Sequence, residues 1–219
     1  MEFADVDLGY VDADGMEQVV GVPEQSSETL IPSQKLPAGH VFAVGANMAD
    51  GDEAVYRLEN KMVRGSGKFE MQGVGNNRPL RESMTAAWYY FQNNAKKLMP
   101  SARLADSDFL LYYGDAQEKS PSTEVSIAEW VALCSALTDK PVMEACVIVG
   151  EIKLSGSMSE VKGLENIVRV AKNAGGKRIL LPMQCMKDLM DVPGELLSAI
   201  QPLFYMDPID AAKKALDLF

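Results

Sequence analysis

The 219 residues contain one histidine, His40, and three cysteines, Cys134, Cys146 and Cys185. That supply is too thin and too widely spaced for a zinc site, and the thiols, set among apolar neighbours, read as buried and reduced; neither a metal nor a disulfide framework is expected. A Ser-His-Asp triad would have to use His40, which follows Leu36-Pro-Ala-Gly at the start of a predicted strand, so that machinery is disfavoured. No apolar run approaches the roughly 18 residues of a membrane span, and the first residues lack the basic start and apolar centre of a signal peptide. The chain therefore reads as cytoplasmic, with no membrane partner. Cations are scarce as well: 21 Lys and Arg stand against 31 Asp and Glu, a net charge of −10. Such a balance disfavours a phosphate-binding surface, so DNA is not an expected partner of this domain alone, and any contact would need a local basic patch. A complete phosphate loop is missing. "RGSGKFE" lacks the upstream glycine and the following Ser or Thr, and "GVGNNR" is too short a signal for a dinucleotide site. No cofactor is expected in this chain.

What is present is a mixture of strand and helix patterns. The first 34 residues hold eight carboxylates and no Lys or Arg, and residues 1–36 read as an acidic arm or linker carrying a strand, followed by one domain over 37–219. "GHVFAVGAN" is a strand. "AVYRLENKMVRGSGKFEMQGVG" alternates and is split by Gly-Ser-Gly, which predicts a hairpin. Helical spacing over "RPLRESMTAAWYYFQNNAKKLM" begins near Pro79 and closes at Pro100. "DFLLYY" is a buried strand, and "MEACVIVGEIKLSGSMSEV" a strand running into a Gly-turned hairpin. "GLENIVRVAKNAGG" is a helix ended by glycines, "KRILLP" a strand stopped by proline, and the tail reads helix, strand, helix. Strands and helices interleaved in this way give an α+β or α/β domain.

Between "DFLLYY" and the apolar helix "TEVSIAEWVALCSAL" lies a polar loop ending in Pro121-Ser122. Ser122 before a first turn containing Glu124 is an ordinary helix cap, and it is also the placement of a nucleophile. Taken with the later blocks, "SPSTEVSIAEWVALCSALTDKPV", "VIVGEIKLSGSMSEVKGLENIVRVAKNAGGKRILLP" and "DPIDAAKKAL" resemble the proteolytic domain of Lon proteases in order, spacing and chemistry. "VPEQSSETLIP", "AVYRLE", "PGELL" and "FYMDPIDAAKKAL" are similar to the C-terminal part of the Lon-like protein of BREX phage-defence systems. The resemblance implies an α+β fold of the Lon proteolytic type, with a β-rich N-terminal part and an α/β C-terminal part. It also implies self-association into a ring, hexameric when an AAA+ ATPase region is attached or supplied by a partner. ATP and Mg belong only to that ATPase region.

Lon proteases use a Ser-Lys dyad, in which a lysine kept neutral by apolar surroundings takes the serine proton. By this resemblance the nucleophile falls on Ser122, and the glutamate of Gly-Glu-Ile falls on Glu151. The dyad lysine position falls on Glu165, and the supporting threonine position on Val149. A carboxylate is a weaker base than a desolvated amine, and valine donates no hydrogen bond. Lys162, three residues before Glu165, is the candidate displaced base; Lys119 shares the loop of Ser122 and reads as solvated. The expectation is a Lon-like peptidase fold with a degenerate dyad and an assembly or scaffold role in phage defence, and the alternative is an active serine endopeptidase using Ser122 with Lys162.

Overall fold

In the computed structural model the described residues are 9–11 and 17–19 as backbone, 29–115, 121–153 and 155–218. The long strand Glu53–Arg64 (β4) is the centre from which the sheet grows in both directions. On one side it pairs antiparallel with His40–Ala46 (β3). On the other it pairs antiparallel with Ser107–Asp115 (β6), which in turn takes Phe69–Gln72 (β5) as a parallel edge strand. Beyond β3 lie three parallel strands, Cys146–Ile148 (β7), Arg178–Pro182 (β8) and Gln201–Tyr205 (β9). The order is β5-β6-β4-β3-β7-β8-β9. A separate antiparallel pair joins Gly9–Val11 (β1) to Glu17–Val19 (β2), and the rest of residues 1–28 lies outside the described residues. This mixed sheet with helices is the expected α+β class.

One predicted pairing is corrected. The Gly-Ser-Gly turn does not fold β4 back onto β5, because β6 inserts between them. Asp108 at the start of β6 ties the turn to that strand: its Oδ1 accepts the N–H groups of Ser66 (2.7 Å) and Lys68 (2.8 Å). Backbone donors held this way, that of Lys68 foremost, keep the Asp108 carboxyl below its usual range. The glycine turn therefore wraps around β6.

Helices cover both faces. Arg78–Asn94 (α1), Ser126–Thr138 (α2) and Pro208–Ala215 (α5) pack on one side, where Trp88, Phe91, Phe109 and Trp130 form a ring cluster with centroids 5.1 to 6.0 Å apart. Leu164–Asn173 (α3) and Gly194–Ala199 (α4) pack on the other with Phe42, Val44, Val147 and Leu181. α3 is amphipathic and half exposed. α2 is buried on nearly all sides, mostly apolar but with Glu129 within it, and it crosses the middle of the first layer in contact with α1, α5, β3 and β4. Asp139 ends it in a left-handed conformation (φ 52°). Ile31 is buried on the α3 side, its N–H bonded to the Ala174 carbonyl (2.9 Å), so the chain from Thr29 onward is part of the packed structure. All three cysteines are buried and free, as read from the sequence. Among the described residues no helix is long and apolar enough to cross a membrane.

Candidate active site

The start of α2 carries the candidate nucleophile to the ends of the parallel strands. Helix amides need acceptors at this end. The Ile127 N–H finds the Gly150 carbonyl at 3.3 Å, and Ser126 Oγ accepts the Ile152 N–H at 2.9 Å, so the Val149–Ile152 segment after β7 is held against the helix entrance. Gly150 sits at φ 131°, and a Cβ there would come within 2.3 Å of Tyr205 Oη. Only glycine fits that contact.

Ser122 lies just ahead of this junction and is fully buried. The Pro121 carbonyl accepts the Met48 N–H (3.0 Å), and the Ser122 N–H donates to Tyr113 Oη (3.1 Å). Its Oγ accepts the Glu124 N–H at 3.1 Å. α2 itself begins at Ser126, with Val125 at the capping position and no side-chain cap. The Ser122 hydroxyl therefore closes a tight turn ahead of the helix rather than capping it. Beneath it lies Gly45 of β3, where a Cβ would meet Ser122 Oγ at 2.6 Å.

The charge around this hydroxyl is negative. Glu124 Oε2 accepts the Ala46 N–H (3.1 Å), and Ala46 pairs across the sheet with Glu53. The Glu53 carboxylate reaches the entrance of α3, where a Cβ on Gly163 would stand 2.7 Å from its Oε1. Burial raises the Glu53 pKa, a backbone hydrogen bond lowers it, and the negative charges of Glu124 and Asp52 raise it again. Carboxylates thus line the path from Ser122 to the start of α3.

Among the other sequence candidates, Glu165 turns along its own helix to pair with Arg169, with its side chain 45% exposed. Lys162 is exposed and makes no hydrogen bond or ion pair among the described residues. Val149 is buried; its carbonyl accepts the Tyr205 hydroxyl (2.7 Å) and its N–H donates to Leu180 (3.0 Å). Glu151 accepts the Ser159 hydroxyl at 2.6 Å, beside the small hairpin closed by the Ile152–Met158 bridge. Lys119 lies outside the described residues. Ser122 and the Val149–Glu151 stretch are thus joined through the start of α2, while no hydrogen bond links Ser122 to a lysine among the described residues. Gly45 and Tyr113 were not identified from the sequence, because their proximity to Ser122 comes from pairing between strands far apart in the chain.

Residues 10–217 match the family described as Lon protease (S16) C-terminal proteolytic domain. The chain is 38% identical over 217 residues to Lon-like protease BrxL of Bacillus cereus, covering 99% of this chain and 32% of that protein. It is 36% identical over 217 residues to Lon-like protease BrxL of Escherichia coli, covering 99% and 31%. Lon protease 2 of Myxococcus xanthus is 30% identical over 211 residues, covering 94% and 24%. The chain spans about a third of the length of the first two relatives. A match of this extent, on a seven-stranded mixed sheet with a Pro-Ser turn entering α2, establishes that the chain belongs to the Lon protease C-terminal proteolytic domain family.

Proposed function

We propose that this Lon-like domain serves in assembly within a BREX-type phage-defence protein and does not hydrolyse peptides efficiently. The observation that carries this reading is the setting of Ser122: a buried hydroxyl in a turn with Glu124, in a region of carboxylates, while Glu165 at the dyad lysine position is paired away with Arg169. Activating a serine requires a base that takes its proton, and the negative charge of Glu124 disfavours an alkoxide beside it. The role in phage defence rests on the similarity to the BrxL proteins, and it goes with a cytoplasmic location.

Fluorogenic-peptide hydrolysis by the wild type is expected to equal that of Ser122→Ala, and fluorophosphonate labelling of Ser122 to be absent. Robust wild-type hydrolysis that vanishes in Ser122→Ala defeats the silent-domain reading. The alternative, an active endopeptidase degrading polypeptides fed by an AAA+ ATPase, is favoured by one feature: the Lys162 amine is not engaged by any described carboxylate. Loss of that same activity in Lys162→Ala would then identify the base.

The assembly is a ring, hexameric with the ATPase region that the relatives' extra length can accommodate, and ATP with Mg acts in that region. Light scattering of a chain carrying the ATPase region is expected to give a mass several times the monomer. A monomer at high concentration would remove the assembly role.

A further inference from the structure

On this acidic chain, α1 and the turn after it form a basic face. Between residues 78 and 97 the sequence holds Arg78, Arg81, Lys96 and Lys97 against one acid, Glu82. All four cations are exposed, and among the described residues only Arg78 is spent in an ion pair, with Glu82. Tyr89, 50% exposed, stands between the two pairs of cations. Tyr89 borders two shallow hollows, one shared with Arg78, Arg81 and Glu82, the other with Asn93, Lys97 and Ser155. An exposed aromatic ring flanked by exposed cations is a surface suited to an extended anionic chain.

The sequence contains a segment of matching chemistry. Its first 34 residues carry eight carboxylates and no cation, with Phe3, Tyr10 and several aliphatic residues interspersed. We propose that the α1 face docks this acidic segment from a second copy of the chain. The choice of a second copy follows from the layering. Ile31, where the segment enters the packed structure, lies in the core on the α3 side of the sheet, whereas α1 belongs to the core on the opposite side. In one molecule the segment would have to pass around a sheet edge to reach α1; between two molecules the faces can meet directly. Attraction of this kind supplies orientation and association rate, and it weakens with salt. This contact goes beyond the assembly reading and does not depend on whether Ser122 is active.

The test mixes equal amounts of full-length chain labelled with light and heavy nitrogen and joins neighbouring amines and carboxylates with a carbodiimide. Cross-links from Lys96 or Lys97 to carboxylates between Glu2 and Glu28 are expected in mixed-isotope pairs at low salt. The double variant Arg78→Glu/Arg81→Glu is expected to reduce their yield roughly tenfold, the factor that corresponds to about 1.4 kcal/mol. Its thermal midpoint, measured alongside, should match the wild type, since both side chains are exposed. Arg78→Lys/Arg81→Lys should retain the links. Absence of these links, or links confined to same-isotope pairs, overturns the proposal. So does a yield unchanged by charge reversal, or a face that instead binds single-stranded oligonucleotide while the links are missing.

Discussion

Resistance of the folded chain to urea is expected to fall as pH rises from about 5 to 8, and Glu129→Gln is expected to remove most of that slope. Glu129 lies in the middle of α2, fully buried. Burial pushes its carboxyl up to about 8 against an ordinary 4.5, opposed by the hydrogen bond from Asn60 Nδ2 to Oε2 at 2.8 Å. A folded-state pKa above the unfolded one means the native protein holds a proton that the unfolded chain releases. Stability is therefore full below pH 4.5 and declines until about 8, at up to about 1.4 kcal/mol per pH unit. Among the described residues, Oε1 of Glu129 and Oδ1 of Asn60 are both buried acceptors without a donor. One carboxyl proton converts the first into a donor for the second, giving a neutral acid–amide pair. Glutamine offers the same pair at every pH, so the variant should exceed the wild type at pH 8 by roughly 3 kcal/mol and match it near pH 5. Urea midpoints measured at unit steps of pH decide it; parallel curves for the two proteins would mean that Glu129 is ionised in the native state.

Gly150→Ala is expected to cost about 3 kcal/mol of folding stability, and much less when Tyr205 is phenylalanine. At φ 131° an alanine is strained, and its Cβ would press on the Tyr205 hydroxyl, which donates to the Val149 carbonyl. Removing that hydroxyl leaves the backbone strain but relieves the collision. A double-mutant cycle should show a coupling of about 1 kcal/mol or more between the two sites, and additive effects would show that the hydroxyl does not oppose the new methyl.

The apolar runs of β3, β6 and β8 and the helical periodicities were legible in the sequence because each is a local pattern. The predominantly apolar α2 was legible for the same reason. The β4–β5 hairpin was misread because Gly-Ser-Gly specifies a turn and not the strand that lies inside it; that strand, β6, begins at Ser107, some forty residues away. At the candidate site the resemblance to Lon proteases proposed positions, Ser122, Val149, Glu151 and Glu165, and said nothing of their surroundings. That Glu165 pairs with Arg169 is an i,i+4 relation and could have been read from spacing. That Gly45 and Tyr113 enclose Ser122 could not, since it depends on the register of β3 and β6 against the loop.

The sheet's antiparallel and parallel halves meet along β3 and β7, where two residue pairs, Phe42 with Val147 and Ala43 with Ile148, make the join. A seam that short resists shear poorly by itself. α2 lies on β3 and β4, and its first turn grips Gly150 and Ile152 just beyond β7, so the helix works as a rivet across the seam. Tension applied between the halves would load the contacts of Ser126 and Ile127 before it parted the strands, and the turn holding Ser122, four residues upstream of Ser126, would be among the first parts of the molecule to feel it.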